Sequence, residues 1–240
     1  MYEMLKAAFK DRFGTNAAYV FSAPGRTELS GNHTDHQHGC VLAAAVTMET
    51  QAAVAQNGCD RIRIQSEGYP MCEIDLSDLS VHPEETNSTA ALIRGVAARF
   101  RQLGCALGGF DAYVTSTVLP GSGLSSSAAF EVLVGTIINH LFYGKKATAV
   151  QVAQIGQYAE NVYFGKPCGL MDQTASSVGN IITIDFADPE HPVVERLEFD
   201  FAHSGYCLCI LDSGADHADL TDEYAAIPQE MKAVAAVFGK

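Results

Sequence analysis

Basic residues are scarce in this chain: 15 lysines and arginines stand against 28 aspartates and glutamates, a formal charge of −13 over 240 residues. A surface of that sign repels phosphate backbones and anionic lipid, so neither nucleic acid nor membrane is an expected partner. A small phosphate-bearing ligand stays open, because backbone N–H groups can hold a phosphate inside an acidic protein. No apolar run reaches the roughly 18 residues of a membrane span. Segment 1–14 carries both charge signs and spaces Leu5, Phe9 and Phe13 four apart. That is an amphipathic helix and lacks the apolar stretch of a signal peptide. The seven cysteines are odd in number, scattered, and contain no CxxC pair, so neither a zinc framework nor a disulfide scaffold is indicated. Reduced thiols in the cytoplasm are the expectation. Tryptophan is missing altogether, so stacking against a flat base falls to other side chains.

What is present is an ordinary globular composition, 48% hydrophobic and 18% charged. The patterning predicts strands at 17–23, 41–47, 51–56, 61–66, 71–76 and 110–114. Strands are also expected at 181–186, 193–199 and 206–211. Helices are expected at 92–103, 128–142, 148–164 and 171–177, with loops over 26–39 and 119–127. Strands come first and then interleave with helices, which describes an α+β sandwich better than a doubly wound sheet. A domain boundary is expected near 190, with 1–190 as one domain and 191–240 as the start of a second.

Three segments carry chemistry. The first, Pro120, Gly121, Ser122, Gly123, Leu124, Ser125, Ser126 and Ser127, lies between a strand and an apolar helix. Glycines allow close backbone approach, and the first N–H groups of a helix lack internal partners, so such a start can hold an anion. An ordinary cap needs one serine, and here there are three. The P-loop pattern is absent, and a dinucleotide fingerprint fails because 138–145 contains no acid.

The second segment, 25–39, packs Arg26, Asn32, His33, Asp35, His36 and His38 between glycines. Mixed donors and acceptors of this kind suit sugar hydroxyls, and the spacing matches no structural metal motif. A polar surface role stays open for His36 and His38. The third segment runs through Cys168, Gly169, Leu170, Met171, Asp172 and Gln173. Its carboxylate stands at a helix start and on spacing alone reads as a capping group rather than a base. Glu160, twelve residues upstream, reads by itself as a solvated helix face.

Together these segments resemble the GHMP kinase superfamily and, within it, the galactokinase family. The family's first motif, GRxNLIGEHTDYNxGxVL, stands here as GRTELSGNHTDHQHGCVL from Gly25; the serine loop and CGLMDQ follow in order. The resemblance covers about 23–224. It implies a ribosomal protein S5 domain 2-like α/β sandwich followed by the start of a ferredoxin-like domain. It implies ATP-dependent phosphorylation of the anomeric hydroxyl of galactose or a related aldose, with ATP and Mg²⁺ as cofactors. Asp172 would orient or deprotonate the sugar hydroxyl, and Arg26 would stabilise the transferring phosphoryl group. Residues 120–127 would wrap the ATP phosphates, and Ser126 or Ser127 would hold Mg²⁺ with Glu160. Asn32, His33, Asp35, Gly169 and Tyr224 would contact the sugar.

Three departures stand out. Asn32 takes the place of the family's glutamate, Glu28 that of its asparagine, and Ser30 that of its isoleucine. The family's third, glycine-rich motif has no counterpart before Lys240, so 1–240 alone is expected to be poorly active. A GHMP kinase for another alcohol and a catalytically silent sugar and ATP sensor are the alternatives. No obligate protein partner is evident.

Overall fold

One long strand organises the sheet. In the computed structural model, which describes residues 2–31, 33–211 and 221–239 with the side chains of 202 and 221–225 outside that description, β2 (Cys40–Gln56) runs for 17 residues. The hairpin partner β1 (Tyr19–Ser30) lies antiparallel along its length. The other edge of β2 is shared: β5 (Phe110–Ser116) pairs with its second half and β6 (Ile181–Asp185) with its first. Outward from β5 lie β3 (Arg61–Ser66), parallel to it, and β4 (Cys72–Asp75); outward from β6 lies β7 (Val193–Leu197).

Alternation along β2 assigns its two faces. Ala52 and Val54 point into the main core, against α2 (Thr89–Gln102), α3 (Ser126–Leu141) and α4 (Ala149–Tyr158). Ala53 and Ala55 point to the opposite face, where α1 (Tyr2–Phe13) lays Leu5 and Phe9 over them. Covered on both faces, this end of β2 is a continuous apolar run, and small side chains let both layers approach. A separate cluster joins Val41 and Ala43 to Met171 and Ala175 of α5 (Met171–Val178). This seats α5 beside β1, where the Ser176 hydroxyl donates to the Pro24 carbonyl at 2.7 Å. Two helices start on side-chain caps: Ser88 accepts from the Ala91 N–H, and Thr148 forms a reciprocal box with Gln151.

Five expectations are revised. β1 does not end at Pro24-Gly25 but continues to Ser30, with register shifts after Pro24 and after Glu28. Proline is tolerated because β1 pairs only with β2, so its missing N–H falls on an open edge, and bulges absorb the mismatch. Arg26 and Glu28 therefore sit on a strand rather than a loop. The segments 41–47 and 51–56 form one strand, since Met48-Glu49-Thr50 supplies no turn. The helix expected over 148–164 is α4 followed by a wider π turn over Ala159–Phe164. Segment 206–211 forms no strand, and Leu211 stands 90% exposed. Finally, β7 follows the boundary expected near 190 yet pairs with β6, so the sheet runs past it to Leu197.

The chain ends in α6 (Phe201–Ser204) and α7 (Thr221–Val237). Among the described residues no helix is long and apolar enough to cross a membrane.

Phe9 is fully buried beneath the sheet. Phe9→Ala is expected to cost about 3–5 kcal/mol in denaturant unfolding. A loss below roughly 1 kcal/mol would show that α1 does not depend on this contact.

Candidate active site

The site forms where three chain segments distant in sequence meet beside the first half of β2. β1 supplies Arg26, the loop before α3 supplies Gly121 to Ser127, and the first turn of α5 supplies Asp172. Arg26 grips Asp172 in a fork: Nε donates to Oδ1 at 2.7 Å and one terminal nitrogen to Oδ2 at 2.6 Å. The other terminal nitrogen donates to the Gly123 carbonyl at 2.6 Å, so one guanidinium joins the acid to the loop. The Arg26 N–H also donates to the Leu124 carbonyl at 3.0 Å. Ser125 holds the N-cap position of α3, but its hydroxyl donates to Asp172 instead of capping the helix. The carboxylate is 28% exposed and the guanidinium 15%, so the pair is open on one side. Burial pushes the Asp172 pKa up, but the Arg26 charge, the hydrogen bonds from Arg26 and Ser125, and the Lys166 charge outweigh it. Asp172 thus stays ionised below the usual carboxylate range. The capping role that spacing suggested gives way to a tertiary one.

The loop backbone alternates. Gly121, Gly123 and Ser125 have φ of 73°, 74° and 58°, while the residues between do not share that conformation. Alternation of this kind is the backbone form of an anion-binding nest, although the Ser122 N–H is itself spent on the Leu119 carbonyl at 3.3 Å. Two members of the expected set are anchors: Leu124 is buried with Val118 and Ala129, and the Ser122 hydroxyl is spent on the Leu119 carbonyl at 2.6 Å. Pro120 stays on the exposed approach to the loop.

Glu160 lies in the π turn and is buried, its side chain only 4% exposed, which removes it from the solvated face expected of it. Its Oε1 accepts from the Ser127 hydroxyl at 3.1 Å and lies 3.8 Å from the Lys166 ammonium. Among the described residues it is Ser127, rather than Ser126, whose hydroxyl bonds to Glu160. A carboxylate and a hydroxyl are hard oxygen donors of the type Mg²⁺ takes when phosphates complete its shell, so these residues fit that ion.

Gly169 is explained by close approach. A Cβ there would lie 1.8 Å from Asp35 Oδ2, so only glycine lets the CGLMDQ loop rest on that carboxylate. Cys168 ties the same loop to the π turn, its N–H donating to Asn161 Oδ1 at 2.7 Å. His33 stands at φ 60° before the short 3₁₀ turn that carries Asp35. Asn32 and the Tyr224 side chain lie outside the described residues. Arg26, Asp35, Gly169, Asp172 and the serine loop are thus gathered into one place.

Residues 7–56 match the galactokinase galactose-binding signature, and residues 91–180 match the GHMP kinases N terminal domain. The chain carries a GHMP kinase N-terminal domain. A galactokinase from Streptomyces coelicolor is 35% identical over 219 residues, 90% of this chain and 56% of the relative. The structure of Lactococcus lactis galactokinase complexed with galactose superposes with a TM-score of 0.73 at 27% identity, covering 82% of this chain and 52% of that one. Methanococcus jannaschii mevalonate kinase shares the fold at a TM-score of 0.62 and 16% identity, over 76% of this chain and 56% of its own. The chain therefore spans about half the length of these relatives.

Within this GHMP domain, sequence reasoning missed Glu131 and the part Gln173 plays beside it. Both are fully buried. Gln173 Nε2 donates to Glu131 Oε2 at 3.1 Å and to Glu160 Oε2 at 2.9 Å, bridging two carboxylates beneath the loop. Burial, then the Glu160 charge, raises the Glu131 pKa well above its ordinary value. An acid inside the otherwise apolar stretch Ala128-Ala129-Phe130-Glu131-Val132-Leu133 was the available signal.

A proton retained by the folded state favours folding below the unfolded carboxylate pKa, and this advantage is lost as pH rises through the raised folded value. Relative to Glu131→Gln, the wild-type chain should therefore be most stable below pH 4.5, the ordinary glutamate value, and lose ground as pH rises. Unfolding free energies of the two across pH 4 to about 8 check this; a constant difference would refute it.

Proposed function

We propose that this chain is the nucleotide- and sugar-binding part of an ATP-dependent sugar kinase that phosphorylates the anomeric C1 hydroxyl of galactose or a related aldose. The observation that carries the reading is the Arg26–Asp172 fork tied to Gly123 and Ser125. It joins the strand of the galactose-binding signature to the serine loop and α5 of the kinase domain. A group that acts on a sugar hydroxyl and a group that acts on a phosphate are thereby in contact.

In this mechanism the loop N–H groups of 121–127 hold the ATP phosphates at the open start of α3. His33, Asp35, Gly169 and, by resemblance, Asn32 and Tyr224 orient the sugar. The sugar O1 forms a bond to the γ-phosphorus as the bond to the ADP oxygen breaks, and the O1 proton passes to Asp172. Ionised Asp172 is a weak base, yet a loose transition state in which the proton moves late asks little of it and much of positioning. Arg26 supplies positive charge next to the transferring group. Mg²⁺, when bound through Glu160 and Ser126 or Ser127, would neutralise phosphate charge. Because the chain spans about half of its relatives, the 1–240 segment by itself should support little turnover.

ADP release from the full-length protein with a panel of aldoses tests the proposal, and no turnover with any aldose would sink it. Asp172→Asn should lower kcat by roughly 10²-fold or more while sugar affinity changes little. Equal, negligible turnover in wild type and variant would instead identify a sensor.

A further inference from the structure

The strand face that presents Arg26 presents a second ionisable side chain. Glu28 lies two residues further along β1, and residues two apart in a strand share a face. The residue as a whole is partly exposed, but its Oε1 is buried and accepts no hydrogen bond among the described residues. Burial and then the Asp35 charge raise its pKa, while Arg26 and His33 lower it and Asp172 adds to the rise. Its surroundings are therefore the expected sugar-contacting and catalytic residues themselves.

A buried carboxyl oxygen without a donor is costly, and native proteins keep few of them. A sugar hydroxyl is a donor of the right kind, and a carboxyl oxygen is the acceptor that suits it. An independent observation comes from the motif. The family pattern carries asparagine where this chain has Glu28 and glutamate where it has Asn32. Relative to that pattern, acid and amide stand exchanged within one short stretch, which places a carboxyl on the Arg26 face of β1.

We propose that Glu28 is a specificity-determining residue whose Oε1 accepts a hydrogen bond from a sugar hydroxyl other than the one phosphorylated. This rests on the sugar-kinase reading above. The carboxyl moved from the family position to 28 meets the sugar from the strand, and the set of accepted aldoses follows the hydroxyl it reaches. An enzyme site built to bond a hydroxyl rejects an analogue that lacks it, because the acceptor is then left unpaired.

Calorimetric binding of D-galactose and its monodeoxy analogues to the full-length wild-type protein, Glu28→Gln and Glu28→Asn tests the assignment. Glu28→Gln keeps the size of the side chain, and Glu28→Asn carries the family residue, so one remains informative should the other fold poorly. The expected result is roughly tenfold or greater loss of galactose affinity in the variants, with ATP affinity and melting temperature retained. For one deoxy analogue alone the difference between wild type and variant should disappear. Unchanged galactose affinity in the variants, or the same loss for every analogue, overturns the assignment to Glu28 and leaves the kinase reading intact. Galactose binding with the expected pattern but without phosphoryl transfer overturns the kinase reading alone. No galactose binding by the wild type overturns the assignment to Glu28 and leaves the kinase reading to the aldose panel.

Discussion

The fork between Arg26 and Asp172 is the contact on which the arrangement of the site depends. Two charged groups from β1 and α5 meet in a partly buried place, and each spends its remaining capacity on the serine loop: Arg26 on the Gly123 carbonyl, Asp172 on the Ser125 hydroxyl. Removing either partner leaves the other charge without its match in a poorly solvated position, which costs more than the pair gains over two neutral groups. The pair ties β1, the loop and α5 to one another.

The rest of the fold is arranged to bring these pieces together. β2 divides its length between two jobs, pairing with β5 beneath the three-helix core and with β6 beneath α5. β1 follows β2 the whole way and carries Arg26 to the end where α5 is seated. The π turn after α4 widens the helix where Glu160 sits, and the Gly165 and Lys166 N–H groups both close on the Glu160 carbonyl. Insertions of this type are enriched at functional sites because they redirect one side chain without ending the helix. Here the redirected residue is Glu160, bonded to Ser127 and, through Gln173, to buried Glu131. Two buried carboxylates share one amide, a charge arrangement that favours retention of a proton by the deeper acid.

Apolar side chains left exposed gather in 193–211 and 234–238, among them Phe199, Tyr206, Leu211 and Phe238. Large exposed apolar groups that cluster mark surfaces used for contact. Their concentration beyond β6 agrees with a chain that spans about half the length of its relatives.

Local chemistry made much of this legible from sequence. The helix over 92–103 followed from a 3.6-residue apolar period, and the strand 61–66 from alternation, with 71–76 as its neighbour. The serine loop was legible as a candidate anion site because glycine conformation and an open helix start are local properties. What failed to show was whatever depends on a partner far along the chain. Pro24 reads as a strand end unless one knows that β1 lies at an edge, and 206–211 reads as a strand although none of the described residues pairs with it. Asp172 looks like a helix cap and Glu160 like a solvated face until Arg26, Ser125 and Ser127 stand beside them. Period, capping and turn chemistry act over a few residues, so the sequence by itself determined most of the elements and the glycine-serine turn before α3. Hydrogen-bond partners and burial act through space, so only the tertiary structure decided which carboxylates are clamped, which are buried, and that Glu28 shares a face with Arg26.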